Sequence, residues 1–202
     1  MNPLPCPNMR RIIAALHVSL DGFVEGPKGE LDWIRSWEDA FGLLDQIDTC
    51  ILGRKMFPAY ERYWRAVLAD PEARLPLTER PPTPEEVEYA RFADRTPHLV
   101  LSRTLADLDW ENSRLVRELD EIRELKRQPG GDMHAVGGAT LVSSLVNAEL
   151  VDEFRLIVQP ILLGGGNPLF KDIEGRRNLR FLDVRTMASG AVRLTYESRG
   201  GP

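Results

Sequence analysis

Short apolar runs alternate along this chain with segments of helical periodicity, and this alternation restricts the fold more than any other feature. Residues 10–24 begin with a nearly unbroken apolar run, which is typical of a strand covered on both faces. Further short segments that predict strands are 49–54, 97–105, 133–138 and 152–166. Helical spacing is found between them, at residues 37–47, 114–131 and 139–148. Strands that alternate with helices form parallel sheets through right-handed crossovers. The sequence therefore predicts an α/β fold with a central, mostly parallel sheet flanked by helices.

The C-terminal part of the chain has a different pattern. Residues 179–187 and 191–197 alternate apolar with polar side chains on either side of Ser189-Gly190, which predicts an antiparallel hairpin. A length of 202 residues suits a single domain, which we place at 10–198 after a disordered leader at 1–9. The stretch at about 69–94 is rich in proline and then helical from Pro84 onwards, and is interpreted as an insertion or lid.

Composition excludes several classes of function. The net charge of −5, without a block of basic residues, argues against nucleic acid or an anionic membrane as partner. No apolar run approaches the roughly 20 residues of a membrane helix, and the start does not resemble a signal peptide, so we expect a cytoplasmic protein. The two cysteines are predicted to be reduced, and no histidine has a second histidine or a cysteine at ligand spacing. We therefore expect no metal site.

Three short segments at the ends of predicted strands are candidates for binding an anion. They are Gly53-Arg54-Lys55-Met56, Ser102-Arg103-Thr104 and Gly137-Gly138-Ala139-Thr140. An open α/β sheet places its ligand cleft at these strand ends, and backbone N–H groups at a helix start bind phosphate. Each segment alone is more commonly an ordinary connection, and no GxGxxG fingerprint is present. Together they predict a dinucleotide site.

The same segments carry a family resemblance. In order along the chain, the matching blocks are IIAALHVSLDGFVEGPKGELDW, ILGRKMF, LVLSRTL, HAVGGATLVSSLV and DEFRLIVQPILLGGGNPLF. With these blocks the chain resembles the dihydrofolate reductase-like superfamily. The resemblance is strongest to the branch of the C-terminal reductase domain (RibD C-terminal domain) of bifunctional riboflavin-biosynthesis enzymes.

The resemblance implies NADPH as the cofactor. Arg54 and Lys55, with Ser102 and Arg103, would hold the adenosine phosphates, including the 2′-phosphate that distinguishes NADPH from NADH. The pyrophosphate loop would consist of Gly137, Gly138, Ala139, Thr140 and Leu141. Ala14 and Ala15 would flank the nicotinamide. The glycines Gly164, Gly165 and Gly166 would let the chain pass close to the ligands, and a bulge that turns the strand is an equal alternative.

Hydride transfer also needs a proton source, for which Asp21, Glu30 and Asp32 are the candidates. Glu30 falls near the place where folate reductases carry their acid. In a helical segment only one of Glu30 and Asp32 can face the cleft, and we favour Asp32 because Trp33 suits a lined pocket. A turn or cap role for Asp21 or Asp32 is the alternative. Trp33 and Trp37 are interpreted as walls for a planar substrate, or as core residues.

The implied function is an NADPH-dependent reductase of a small pyrimidine- or pteridine-like heterocycle. The implied reaction is like that of the 5-amino-6-(5-phosphoribosylamino)uracil reductase of riboflavin biosynthesis. A dihydrofolate reductase and a non-catalytic NADPH-binding module are the alternatives. Because related reductase domains pair, we also expect a homodimer.

Overall fold

The protein is described by a computed structural model that covers residues 9–34, 40–75 and 78–198. Most of the expected leader, residues 1–8, and Trp37 lie outside the described residues. The strands within them are β1 (Ile12–Ser19), β2 (Phe23–Glu25), β3 (Ile47–Gly53), β4 (His98–Leu101), β5 (Ser113–Val116), β6 (Asp132–Gly137), β7 (Glu153–Gln159), β8 (Asn167–Pro168), β9 (Leu179–Thr186) and β10 (Val192–Ser198).

Eight of the described strands form one sheet, in the order β5-β4-β3-β6-β1-β7-β10-β9. All pairs from β5 to β7 are parallel, and β10 then pairs antiparallel with both β7 and β9. Strands β2 and β8 form a separate antiparallel pair. The expected α/β class, with a mostly parallel sheet and an antiparallel C-terminal hairpin, is confirmed.

Helices cover both faces of the parallel part of the sheet. They are α1 (Phe57–Ala69), α2 (Pro84–Arg95), α3 (Leu119–Lys126) and α4 (Ala139–Asn147). Successive side chains of a strand point to opposite faces, so Ile13 of β1 packs in the cluster with the apolar residues of α1 and α2. Its neighbour Ile12 packs with those of α3 and α4. Among the described residues, no helix has both the length and the apolar character that crossing a membrane demands.

The proline-rich stretch leads into a helix that belongs to the core. Thr83 caps α2 by accepting a hydrogen bond from the Glu86 N–H at 3.2 Å, and the Glu86 carboxylate accepts one from the Thr83 N–H at 2.9 Å. Arg80 pairs with the fully buried Glu86 at 2.8 Å. Tyr89 and Phe92 are buried against the α1 side of the sheet. This helix therefore packs in the core of the domain, and the insertion at about 69–94 stays a prediction.

Two predicted helices differ in the structure. Of the segment 37–47, the described residues 40–46 form turns, because Gly42 has φ +69° and interrupts a helix; Ile47 already belongs to β3. The segment 114–131 begins with β5, which pairs parallel with β4, and only Leu119–Lys126 is helical. A short apolar run such as that around Leu115 fits either periodicity, and its pairing with β4 decides for the strand.

Candidate functional site

A cavity of about 890 Å³ opens at the carboxyl ends of the parallel strands. Its wall includes Leu16 and His17 of β1, Gly53 of β3, Leu101 of β4 and Val136 of β6. This is the position that an open parallel sheet offers to a ligand, because the loops that leave the strand ends diverge there. The volume lies within the range of small-molecule and cofactor sites.

The three predicted loops come together in the wall of this cavity. Twelve of the predicted cofactor residues line it: Ala15, Gly53, Arg54, Lys55, Met56, Ser102, Arg103, Thr104, Gly138, Ala139, Thr140 and Leu141. Ala14 and Gly137 lie outside the lining. Ala14 is fully buried on the opposite face of β1, with the α3 and α4 cluster. Gly137 is buried and has φ +131°, and a Cβ there would lie 3.1 Å from Leu16 Cδ2 and 3.2 Å from Met56 Sδ.

The start of α4 supplies backbone donors to the cavity. Gly138 is the N-cap residue of α4, and no side chain forms a capping hydrogen bond there. The first N–H groups of a helix have no partner within the helix, and the helix dipole places partial positive charge at the same end. An anionic group such as a pyrophosphate would satisfy both.

Four cations line the side of the cavity formed by β3, β4 and β5, which we call the cationic end: Arg54, Lys55, Arg103 and Arg117. Arg117 donates hydrogen bonds to the carbonyl oxygens of Ser102 and Leu105, both at 2.7 Å. Ser102 is buried, and its hydroxyl accepts from the N–H groups of Thr104 and Leu105. The Ser102 hydroxyl therefore fixes the loop of residues 102–105. Arg117 holds the same loop through two of its carbonyl oxygens and adds positive charge.

Sequence reasoning missed Arg117 because it missed β5. Arg117 directly follows β5, and its neighbour Glu118 also lines the cavity. Glu118 accepts a hydrogen bond from Arg103 at 2.7 Å. The general rule that parallel strands end at one edge would have identified both residues, had 113–116 been recognised as a strand.

The opposite side of the cavity, formed around β1 and called here the β1 end, has a different character. Its polar groups include His17, Glu25, Asn167 and Lys171. Asn167 donates its amide N–H to Glu25 Oε1 at 2.8 Å and accepts from Lys171 Nζ at 3.2 Å. A lysine only donates and a carboxylate only accepts, so this chain of hydrogen bonds fixes the orientation of the Asn167 amide.

His17 is a neutral group in this wall. Burial lowers the pKa of His17 to about 4, so the ring is uncharged at neutral pH. The Gln159 amide lies 3.0 Å from His17 Nδ1, and as the donor it makes Nδ1 the acceptor. His17 is therefore a cavity-wall histidine with a hydrogen-bond partner.

Aromatic side chains form the remaining wall. Tyr60, Tyr63 and Trp64 of α1 and Tyr89 of α2 line the cavity. The Trp64 and Tyr89 ring centroids are 4.5 Å apart, and the hydroxyl groups of Tyr60 and Tyr89 are 3.4 Å apart. Burial raises the pKa of Tyr60 well above its ordinary value, so this wall is uncharged. Such a wall suits a planar ring.

The three acids expected to donate a proton lie outside the cavity lining. Asp21 accepts hydrogen bonds from the N–H groups of Leu163 and Gly164 at 3.2 and 2.8 Å. A hydrogen bond from Ser19, together with these backbone N–H groups, lowers the pKa of Asp21. Hydrogen bonds from its own N–H and from that of Lys28, at 2.7 Å, lower the pKa of Glu30. Both shifts favour the ionised form, which is the opposite of a stored proton. Asp32 has an exposed side chain.

The expected substrate-side residues also lie outside the lining. Trp33 donates its indole N–H to the Glu30 carbonyl oxygen at 3.0 Å, whereas its neighbours Leu31 and Ile34 face the cavity. Gly164 and Gly165 belong to the loop held by Asp21. The adjacent Gly166 has φ +134°, and a Cβ on it would lie 2.1 Å from the Glu25 carbonyl oxygen. The glycine run therefore passes close to β2, and the ligand contact expected for Gly164 and Gly165 stays a prediction.

A family model described as the RibD C-terminal domain matches residues 10–193. The chain belongs to this family. One relative in sequence is the uncharacterized protein YyaP of Bacillus subtilis (strain 168), which is 39% identical over 197 residues, or 95% of this chain and 96% of the relative.

Solved structures show the same fold. A putative riboflavin biosynthesis protein from Shewanella sp. PV-4 has a TM-score of 0.68 at 20% identity, over 94% of this chain and 99% of that chain. A dihydrofolate reductase from Enterococcus faecalis, in complex with NADP(H) and RAB-propyl, has a TM-score of 0.56 at 17% identity, over 94% and 97%. The resemblance seen in the sequence is thereby confirmed for the RibD C-terminal domain family and for the fold.

Proposed function

We propose that this member of the RibD C-terminal domain family is an NADPH-dependent reductase of a small pyrimidine- or pteridine-like heterocycle. One observation carries the proposal: the loops after β3, β4, β5 and β6 converge with four cations and the uncapped start of α4 on one cavity. A dinucleotide with a 2′-phosphate has three phosphate groups to satisfy. Cations that only face solvent on a protein surface need not lie around one cavity together with the start of a helix.

The residues present suit each part of the coenzyme. The first turn of α4, from Gly138 to Leu141, fits the pyrophosphate, because its N–H groups are not capped by a side chain. Arg54, Lys55 and Arg103 fit the adenosine phosphate, and a guanidinium binds phosphate with two parallel hydrogen bonds. When bound, NADPH supplies the hydride. The protein binds, aligns and shields the reacting groups.

The β1 end supplies the groups that would face the substrate. We assign the proton-handling carboxylate to Glu25 in place of Asp32, Glu30 and Asp21, because Glu25 lines the cavity and is held by Asn167. The aromatic wall of Tyr60, Tyr63 and Tyr89 would pack against a planar ring. His17, neutral and fixed by Gln159, would offer ring hydrogen bonding without charge.

The homodimer also stays a proposal. Every residue of β9 is exposed, and Phe181 and Val184 are 55% and 52% exposed. An edge strand with exposed apolar side chains is a pairing surface, and a second copy of the chain would cover it. Measurement of the mass in solution tests this, with Phe181→Glu expected to shift the wild-type dimer to a monomer. A monomeric wild type would contradict it.

A fluorescence titration of the purified protein with NADPH and with NADH tests the coenzyme assignment. We expect NADPH to bind more tightly, and Arg54→Glu and Arg103→Glu to weaken NADPH more than NADH, because only NADPH carries the 2′-phosphate. Equal binding of both coenzymes, unaffected by either charge reversal, would contradict it. Loss of NADPH absorbance with a panel of uracil, pterin and folate substrates then tests for turnover. No turnover with any of them would favour the binding module.

A further inference from the structure

A carboxylate lies in the wall of the cationic end. Glu118 lines the cavity, and its Oε2 accepts a hydrogen bond from Arg103 Nη2 at 2.7 Å. The side chains of Arg103 and Glu118 are 76% and 59% exposed, respectively. Ion pairs as exposed as this are weak and exchange partners easily. Arg103 can therefore leave Glu118 for a phosphate.

The two nicotinamide coenzymes would interact with this carboxylate in opposite ways. A 2′-phosphate beside Arg103 brings nearly two negative charges towards Glu118 and competes with it for the same guanidinium. NADH has a 2′-hydroxyl at that place, which donates a hydrogen bond, and a carboxylate is the usual acceptor for this hydroxyl in proteins that prefer NADH. A single negative side chain thus disfavours one coenzyme and favours the other.

We propose that Glu118 is a specificity-determining residue that reduces the preference for NADPH over NADH through its pairing with Arg103. The inference rests on the proposed function, because that function places the adenosine ribose beside Arg103. Glu118 lowers the preference for NADPH in two ways: it occupies the Arg103 guanidinium, and it repels the 2′-phosphate. The protein would then retain measurable affinity for NADH despite the four cations of the cationic end.

The test is the ratio of the NADH and NADPH dissociation constants, measured by fluorescence titration at low salt. Glu118→Gln removes the charge and keeps the size of the side chain. We expect NADPH to bind about three- to tenfold more tightly in this variant and NADH to bind about two- to fivefold more weakly, as for loss of one exposed charge. The ratio of the NADH to the NADPH dissociation constant therefore rises about six- to fiftyfold.

Glu124→Gln is the matched control. Glu124 belongs to α3, the helix that begins directly after Glu118, and pairs with Arg127 at 2.5 Å. It is 65% exposed and lies outside the cavity lining. This substitution changes the net charge equally, so the two constants should keep their ratio. The melting temperatures of both variants show whether either one is less stable.

A double variant tests the route through Arg103. In Arg103→Gln/Glu118→Gln the gain in NADPH affinity over Arg103→Gln should be smaller than the gain over the wild type, because the guanidinium that Glu118 occupies is gone. Equal gains in the two backgrounds would overturn the role of Arg103.

The remaining outcomes separate this inference from the proposed function. If the wild type binds NADPH and Glu118→Gln binds it equally or more weakly, the inference alone is wrong; the weaker binding would mean that Glu118 preorganises Arg103 for the phosphate. If the wild type binds neither coenzyme, both the function and the inference are wrong.

Discussion

The two ends of the cavity are built on different principles. At the cationic end, most ligand-facing residues come from short contiguous segments, such as residues 53–56 and 102–104, each placed by the strand before it. At the β1 end, Glu25 is positioned by Asn167, 142 residues later in the chain, and the same separation joins His17 to Gln159. Local sequence therefore specifies one end, whereas tertiary contacts specify the other. Substitutions in distant segments should consequently affect the β1 end selectively.

The largest effect is expected for Glu25→Gln. If Glu25 handles the proton, its loss should lower kcat about 100-fold with whichever substrate of the panel is turned over. The NADPH dissociation constant should change less than about twofold, because the cationic end is untouched. Glu30→Gln is the control, since Glu30 lies outside the lining. Unchanged turnover in Glu25→Gln would refute the role, and an equal loss in Glu30→Gln would return the assignment to Glu30.

Gly166→Ala should disrupt the β1 end through the backbone. The new Cβ would overlap the Glu25 carbonyl oxygen at a φ of +134°, so β2 and β8 would have to separate. We expect a loss of about 2–4 kcal/mol in the free energy of unfolding, measured by urea denaturation. Gly165→Ala is the control, because its Cβ would lie at an ordinary van der Waals distance of 3.7 Å from Pro27 Cγ. Equal stability of the two variants would contradict the close approach.

Asn167→Asp should change the pH dependence of turnover. The substitution places a second carboxylate beside Glu25 Oε1, where the amide now donates at 2.8 Å. A neighbouring like charge raises the pKa of a carboxyl group, so the limb of the kcat/KM profile that belongs to Glu25 should move up by about one pH unit. Asn147→Asp, at an amide bonded to the 172–174 loop outside the cavity lining, should leave the profile in place. An unshifted profile in Asn167→Asp would mean that Glu25 does not handle the proton in the reaction.

The smallest effect concerns Asp21, which holds the loop that leads to β8. Its pKa is lowered in the folded protein, so its contribution to stability is present above the unfolded-state value of about 3.9 and is lost as the pH falls through the folded value. Asp21→Asn should therefore melt at a lower temperature than the wild type at pH 7. The difference in melting temperature should vanish in strongly acidic buffer. A difference that stays constant from pH 7 to strongly acidic pH would contradict a stabilising role of the ionised Asp21 carboxylate.

The sequence predicts most of the fold because the long apolar runs are unambiguous. β1 is covered by neighbours in the sheet and by helices, so its apolar character is nearly continuous and easy to recognise. β5 has only four residues, and its pairing with β4 rather than its local pattern makes it a strand. Gly42 shows the converse case, in which helical spacing is present but one residue with positive φ prevents the helix.

The candidate site follows the same division. The loops of the cationic end could be predicted because a glycine, a cation or a hydroxyl after a strand already indicates anion binding. Glu25 and Asp21 could not be distinguished from sequence, since both are acids close to the same turn. One faces the cavity and the other binds the backbone of residues 163 and 164. Only the long-range pairing of β2 with β8 separates their roles.

The central position of β1 also affects how the protein is made. β1 lies between β6 and β7, and Arg11 just before it bonds to Asp132, 121 residues later. At about 5–20 residues per second of synthesis, β1 leaves the ribosome at least several seconds before either neighbouring strand exists. During that interval a strand that is almost wholly apolar has no native partner to pair with. The yield of folded protein should therefore depend more on whether a chaperone shields this nascent segment than on the rate of any later folding step.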